Sequence, residues 1–581
     1  MGLARSGLSL TFLGVLGACV TAPPPAAGHN ANRAGTTNVS AATAPPEVGD
    51  LGKVGHVVLP TSCAAGVTAD LQRGVALLHS FFYEEARRVF TAVATSDPSC
   101  AMAQWGIAMT HWHPIWAAPE AADFESGRAA AERASALTTA LPLERDLVKA
   151  IAAFYDSQAS GDPTSPSQSC HGVVAGDIRG RALAYEQAMA QVHARHPEDV
   201  EPTAFYALAL LATAPPSDAS YANQRKATAL LEPFFVSQPN HPGVAHYLIH
   251  GYDYPELAAR ALPAARAYAG MAPWVPHALH MPSHIFTRLG LWNDAIAANL
   301  SAASAARKYE ARFHPGAHAA EELHALDYAA YGYLQTAQDG KAAAIVAYLG
   351  TIDRTNPELD LVAGYPFATI PARYALERRR WSEAAVLTPS PLAQRMPFIE
   401  ANVVYARAIG AARSGNVASA RADVERLGVL GEASAKEAKF AFFVKQVELQ
   451  RKAGQGWLLH AEHREIESLA AMRAAVELED AIGKHPVTTG AVLPAREQLG
   501  DLLLEQGQPE LALAEHERSL ATSPNRFAGL YGAARAADRA GDRTKARAYY
   551  EKLVTVASGN DERPELAEAR AWLAHPVSLG K

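Results

Sequence analysis

The sequence is poor in charge. Of 581 residues only 19% are Asp, Glu, Lys or Arg, the formal net charge is −7, and no Lys/Arg cluster stands out. The electrostatic footprint of a nucleic-acid-binding surface is therefore missing, and nucleic acid is excluded as a partner. Cysteine is scarce, with four in the whole chain, too few for a disulfide-built scaffold of this length. Beyond the N-terminal stretch no apolar run reaches the roughly 20 residues that cross a bilayer. No segment alternates apolar and polar residues for long, which argues against a sheet-based core. A phosphate loop, a nucleophile motif and the zinc-protease pattern His-Glu-x-x-His are all absent. Apolar residues are plentiful at 49%, much of that alanine. The chain can bury a large core, and its length fits three or four domains or one long repeat array, with helix favoured.

The first residues, MGLARSGLSLTFLGVLGAC, read as an export signal: a basic start at Arg5 and a short apolar run from Leu8 to Leu16. The ending Leu16-Gly17-Ala18-Cys19 resembles the bacterial lipobox. That resemblance implies that Cys19 becomes the lipidated first residue of a membrane-anchored lipoprotein facing the periplasm, with the membrane touched through the lipid alone. Residues 19–52, rich in Ala, Pro, Thr and Asn, read as a flexible tether after a signal of residues 1–18. With Cys19 lipidated, three cysteines remain in an oxidising compartment. Cys63 precedes the first helical run and Cys100 opens the next unit, so these two are paired, leaving Cys170 free in the loop SPSQSCHG; burial as apolar fillers is the alternative.

Repeats point to the fold. In the C-terminal part, Gly507 and Gly541, and Ala512 and Ala546, are each 34 residues apart, and Pro524 closes the unit. Gly74, Ala86, Phe90 and Pro98 follow the same offsets near the start. This pattern resembles the tetratricopeptide repeat and implies an all-α architecture, an α-solenoid of stacked helical hairpins in which each unit buries its apolar face on its neighbours. We divide it into a divergent N-terminal solenoid, residues 53–340, and a C-terminal solenoid, residues 341–581. The stretches HSFFYEEARRVF, CAMAQWGIAM, HPGVAHYLIH, HALHMPSHIFTRLG and LDYAAYGYLQ are similar to exported bacterial tetratricopeptide lipoproteins, a resemblance that implies fold and location but no settled activity.

Two His-x-x-x-His pairs stand out. His246 and His280 are 34 apart, as are His250 and His284. Pro242 and Pro276 start the first helix of their units, where a missing N–H costs nothing. In the family resembled, places two, five, nine and thirteen of that helix line the concave groove. The resemblance thus puts His246, His250, His280 and His284 on the groove, with His277 at place two and Arg288 at place thirteen. Pro282 is expected to kink or restart the helix. A third helix brings His324, Asp327 and Tyr331 to places two, five and nine, and Asp253 lies one turn beyond His250. Imidazoles four apart share a helix face, and neighbouring helices place two such pairs within reach of one ion. The four histidines, with His324 and Asp327, are therefore candidate ligands for a transition metal, with Zn, Cu or Fe all suited to imidazole. Asp253, His277, Arg288 and Tyr331 are candidate groove-binding residues. Two functions follow: a binding scaffold presenting a His-rich groove to a peptide or protein, which the missing catalytic motifs favour, or a metalloenzyme acting on water or dioxygen.

Overall fold

The computed structural model describes residues 52–575, except 116–118, 138, 140, 157–167, 170, 171, 174–177, 217, 359, 360, 438, 439, 486, 487 and 558–562. The signal, Cys19, nearly all of the tether and Cys170 lie outside the described residues. Regular structure is helical almost throughout; among the described residues the strands are four two-residue segments in two isolated pairs, so no sheet forms a core. The chain is an all-α solenoid in which each helix packs on the next in sequence and often on the next but one, as stacked hairpins require.

Local chemistry explains the punctuation. Helices begin at Pro142, Pro242, Pro276, Pro282, Pro397, Pro509 and Pro564, where the ring presets φ and the lost N–H is one the helix start leaves unpaired. The repeat glycines Gly290, Gly507 and Gly541 occupy the left-handed turn between paired helices, with φ of +65°, +73° and +81°. Ala295, Ala512 and Ala546 are buried where the paired helices meet, small enough to let backbones approach.

Two large apolar clusters form the core. One runs from Val54 to Ala295 and the other from Leu279 to Ala546, so they meet in the helices around residues 279–295. No break in packing accompanies residue 340: Leu334, Ala342 and Ile345 belong to one cluster. The C-terminal helices then turn back on the middle of the chain. Trp292 Nε1 donates to the Asn525 carbonyl at 2.7 Å, the Phe527 N–H donates to Gln335 Oε1 at 2.9 Å, and Arg563 pairs with Asp339 at 2.6 Å. A side chain at Gly290 would lie 2.2 Å from the Pro524 carbonyl oxygen, so this turn closes only on glycine. The groove is thereby narrowed into a central cavity of about 870 Å³ that stays partly open to solvent.

At the other end Cys63 and Cys100, 37 positions apart in sequence, are joined by a disulfide with Cα atoms 4.7 Å apart. Replacing both with Ser should lower unfolding free energy by about 3–4 kcal/mol, the chain-entropy value for a loop of that length. Denaturant titration of the double variant checks this; an unchanged midpoint would show that the bridge does not form.

Candidate metal centre

The helix Pro242–Tyr252 carries His246 and His250 one turn apart. The next unit begins with a single turn, Pro276–His280, and restarts at Pro282 as a second piece, Pro282–Arg288. The break falls where proline removes an N–H, and it sets His277 and His280 on one piece and His284 on the other. The helix Ala320–Gln335 contributes His324.

The four repeat-matched histidines do not surround one point. They separate into two triads, His246 with His250 and His277, and His280 with His284 and His324, each with one nitrogen per ring lying within 4.8 Å of the others. The triads adjoin, since the rings of His277 and His280 have centroids 6.3 Å apart. In the first, His246 Nε2 is 3.0 Å from His250 Nε2 and 3.1 Å from His277 Nε2. In the second, His280 Nε2 is 3.0 Å from His284 Nε2.

The other ring nitrogens fix the tautomers. His280 Nδ1 donates to Asn299 Oδ1 at 2.6 Å, and the Asn299 amide is oriented by its own donation to the Ala295 carbonyl. His284 Nδ1 donates to Asp253 Oδ2 at 2.9 Å. Both Nε2 atoms of neutral rings are then bare lone pairs facing each other at 3.0 Å, an arrangement that is repulsive unless a cation sits between them. His246 Nδ1 likewise donates to the His79 carbonyl at 2.6 Å, freeing its Nε2. Metal–nitrogen bonds of 2.0–2.1 Å in tetrahedral geometry put neighbouring ligand nitrogens about 3.3 Å apart, close to these spacings. Carboxylate and carbonyl partners behind ligand imidazoles are the usual means of orienting them.

Burial keeps the rings neutral. It pushes His246, His277 and His280 well below the usual histidine range and His250 down to about 3, and the neighbouring imidazoles add to the effect. His284 is lowered too, first by burial and then by Lys484. Burial would raise Asp253, but Lys484 and Arg288 outweigh it and hold the carboxylate ionised. Arg288 Nε donates to Asp253 Oδ1 at 2.8 Å, and Lys484 Nζ lies 3.4 Å from Oδ2.

Aromatic rings wall the chamber. Phe81 stacks on His277 at 5.4 Å and meets His246 edge-on at 4.4 Å, Tyr268 stacks on His246, and Tyr328 stacks on His284. Phe81 holds φ of +55°, the left-handed turn that also follows helices at Ala337, Arg379 and His463. The same turn aims the His79 carbonyl at His246.

The remaining candidates are placed elsewhere. Asp327 is buried away from the triads, its Oδ1 2.5 Å from Arg373 Nη1. Tyr331 lines the central cavity, and its hydroxyl accepts from Arg526 at 2.5 Å. Arg288 also lines the cavity, while Asp253 stands behind His284. Sequence reading did not single out Asn299, Phe81, Tyr268, Tyr328 or Lys484; these reach the triads only through tertiary packing, and no local pattern marks them. It also passed over His79, Glu201 and His241. There Glu201 accepts from both histidines at 2.7 and 2.8 Å; burial would raise its carboxylate, but His241 and His79 outweigh it and hold it down to about 2. His241 Nδ1 accepts from the Val244 N–H and caps the helix that carries His246.

Without a bound ion the five lowered histidines make stability depend on pH. The unfolded chain takes up their protons near pH 6.5 while the folded chain resists, so stability is full above about pH 6.5 and lost below it, toward pH 3 for His250. Each contributes about 1.4 kcal/mol per pH unit in that window. Thermal melts of chelator-treated protein should fall steeply from pH 7 to 5, and a flat profile would mean that these rings are not buried neutral.

No protein-family model matches the chain, and no curated protein matches it. Among solved structures it is similar to the APC/C hetero-tetramer Cut9–Hcn1, at 11% identity over 87% of this chain and 95% of that one with a TM-score of 0.27. It is also similar to yeast Tom70, at 10% identity over 87% and 95% with a TM-score of 0.27.

Proposed function

We propose that this chain is an exported, lipid-anchored metalloprotein whose two histidine triads each hold one transition-metal ion, forming a paired centre of the metalloenzyme type. The observation that carries the reading is the facing pair of bare Nε2 atoms on His280 and His284, beside a second cluster in which the Nε2 atoms of His250 and His277 lie 3.0 and 3.1 Å from that of His246. Six imidazole nitrogens and no carboxylate favour copper or zinc over magnesium, calcium or manganese. Three protein ligands leave each ion an open position, and ions so held supply activation of water or dioxygen. The chain's own residues do the rest: Asn299, Asp253 and the His79 carbonyl hold the imidazoles in one tautomer, and Phe81, Tyr268 and Tyr328 exclude bulk water. Protein purified without an affinity tag should contain about two equivalents of copper or zinc per chain by elemental analysis. Metal-free protein that takes up neither ion would refute the reading.

Anchoring rests on Cys19. Cys19→Ser should leave the precursor uncleaved or shift the protein from the membrane fraction to the soluble periplasmic one. Unaltered processing and fractionation would remove the lipid anchor from the proposal.

A further inference from the structure

Behind the first triad lies a buried carboxylate that ligates nothing there. Glu201 stands at the start of the helix Val200–Thr213 and is 2% exposed. Its Oε2 is 2.7 Å from His79 Nε2, and its Oε1 is 2.8 Å from His241 Nε2. The far ring nitrogens settle where the protons are. His241 Nδ1 accepts the Val244 N–H, so Nε2 holds the proton and donates to Glu201. His79 Nδ1 lies 2.8 Å from the hydroxyl of Tyr247, whose only described hydrogen bond this is, so the phenol donates and the His79 proton is also on Nε2. Both Nε2 atoms facing Glu201 thus carry protons, and the cluster is not itself arranged to ligate a cation. Glu201 is an ionised carboxylate between two neutral rings, and no Lys or Arg pairs with it among the described residues. The nearby helix starts at Val200 and Pro242 supply only partial positive charge.

Both histidines lead to the first triad. His241 caps the helix Pro242–Tyr252, which carries His246 and His250. His79 ends the helix Thr68–His79, and its carbonyl, one of those a helix end leaves free, accepts from His246 Nδ1 at 2.6 Å. Gly243 lets the His79 ring lie against the backbone of the capped helix, since a side chain there would collide with the ring at Nδ1. One carboxylate therefore fixes both the start of the helix that bears two ligands and the acceptor that sets the tautomer of His246. The second triad is held independently, by Asn299 behind His280 and Asp253 behind His284.

We propose that Glu201 is a positioning residue for the first metal ion alone: through His79 and His241 it holds His246 and His250 in ligating geometry, and its charge offsets that of the ion. The proposal rests on the metal reading above. It adds that the two ions, alike in their imidazole ligands, are supported by separate buried networks and respond separately when one network is cut.

The test is titration of the full-length protein with zinc and with copper against a competing chelator, in two backgrounds: His284→Ala, which keeps only the first ion, and His277→Ala, which keeps only the second. Glu201→Gln is nearly isosteric and keeps both contacts if His79 takes its other tautomer, so it removes the charge and little else. It should weaken the ion of the His284→Ala protein about tenfold, the lower end of the loss seen when a partner behind a ligand imidazole is removed. The ion of the His277→Ala protein should be bound as before. His241→Asn retains a residue favoured as a helix cap but cuts the link to Glu201; it should act in the same direction, and it stands in if circular dichroism shows Glu201→Gln unfolded. A carboxylate that merely stabilises the fold would not distinguish the two ions, so affinity unchanged in both backgrounds, or weakened equally in both, would overturn the proposal. If the wild type takes up neither zinc nor copper, the metal reading falls and this proposal with it. If the wild type binds both ions and the first is indifferent to Glu201→Gln, this proposal falls alone.

Discussion

His277→Ala should remove one metal ion of two, and His284→Ala the other. The assignment follows from which nitrogens converge: His277 with His246 and His250, and His284 with His280 and His324. Loss of a partner behind an imidazole lowers affinity about 10–100-fold, so loss of a ligand imidazole itself should exceed about 100-fold. Elemental analysis is expected to give about one equivalent per chain for each single variant and none for the His277→Ala/His284→Ala double. Asp253→Asn should weaken only the ion of the second triad, since its Oδ2 accepts from His284. His111→Ala is the control, because its Nδ1 is engaged with Asp123 outside both triads. Affinity should also fall on acidification, because ligation needs the neutral rings. Equal metal content in the wild type and the double variant would eliminate the centre.

Arg526→Met should destabilise the protein by about 3–5 kcal/mol, the cost of stripping the partner from buried carboxylates. The guanidinium is fully buried and donates to Glu377 Oε1 at 2.7 Å, to Glu497 at 2.6 and 2.9 Å and to the Tyr331 hydroxyl at 2.5 Å. Glu377 and Glu497 are buried as well, so the substitution leaves two unpaired charges in a low dielectric. Arg526→Lys should recover part of the loss, since one ammonium cannot reproduce the forked contact. Replacing all three charged residues by apolar ones of similar volume should recover more than Lys does. The urea midpoint is the measurement, and a midpoint unmoved in Arg526→Met would show that this network does not hold the C-terminal helices to the middle of the chain.

Much of the fold was legible because its signals are local. Proline at helix starts, glycine at left-handed turns and alanine where helices touch act within a few residues, and a 34-residue spacing repeats them. That spacing brought His246 with His250 and His280 with His284 into matching places on their helices, and position alone suggested the Cys63–Cys100 pair. The grouping of the ligands was not legible. His277, read as a groove residue, completes the first triad, and His324 completes the second, in a chain whose helix breaks between His280 and Pro282. Asp327 sits at a ligand-like place in its repeat yet is taken by Arg373, 46 residues away.

The sequence by itself determined the helices, their hairpin order and the candidate imidazoles, since these depend on backbone propensity and short-range periodicity. Only the tertiary structure decided that the imidazoles form two triads and that the C-terminal helices fold back on the middle of the chain. The second outcome depends on which side chains meet across Arg526, Glu377, Glu497 and Tyr331, residues up to 195 apart in sequence, and such long-range pairing of buried charges leaves no periodic trace along the chain.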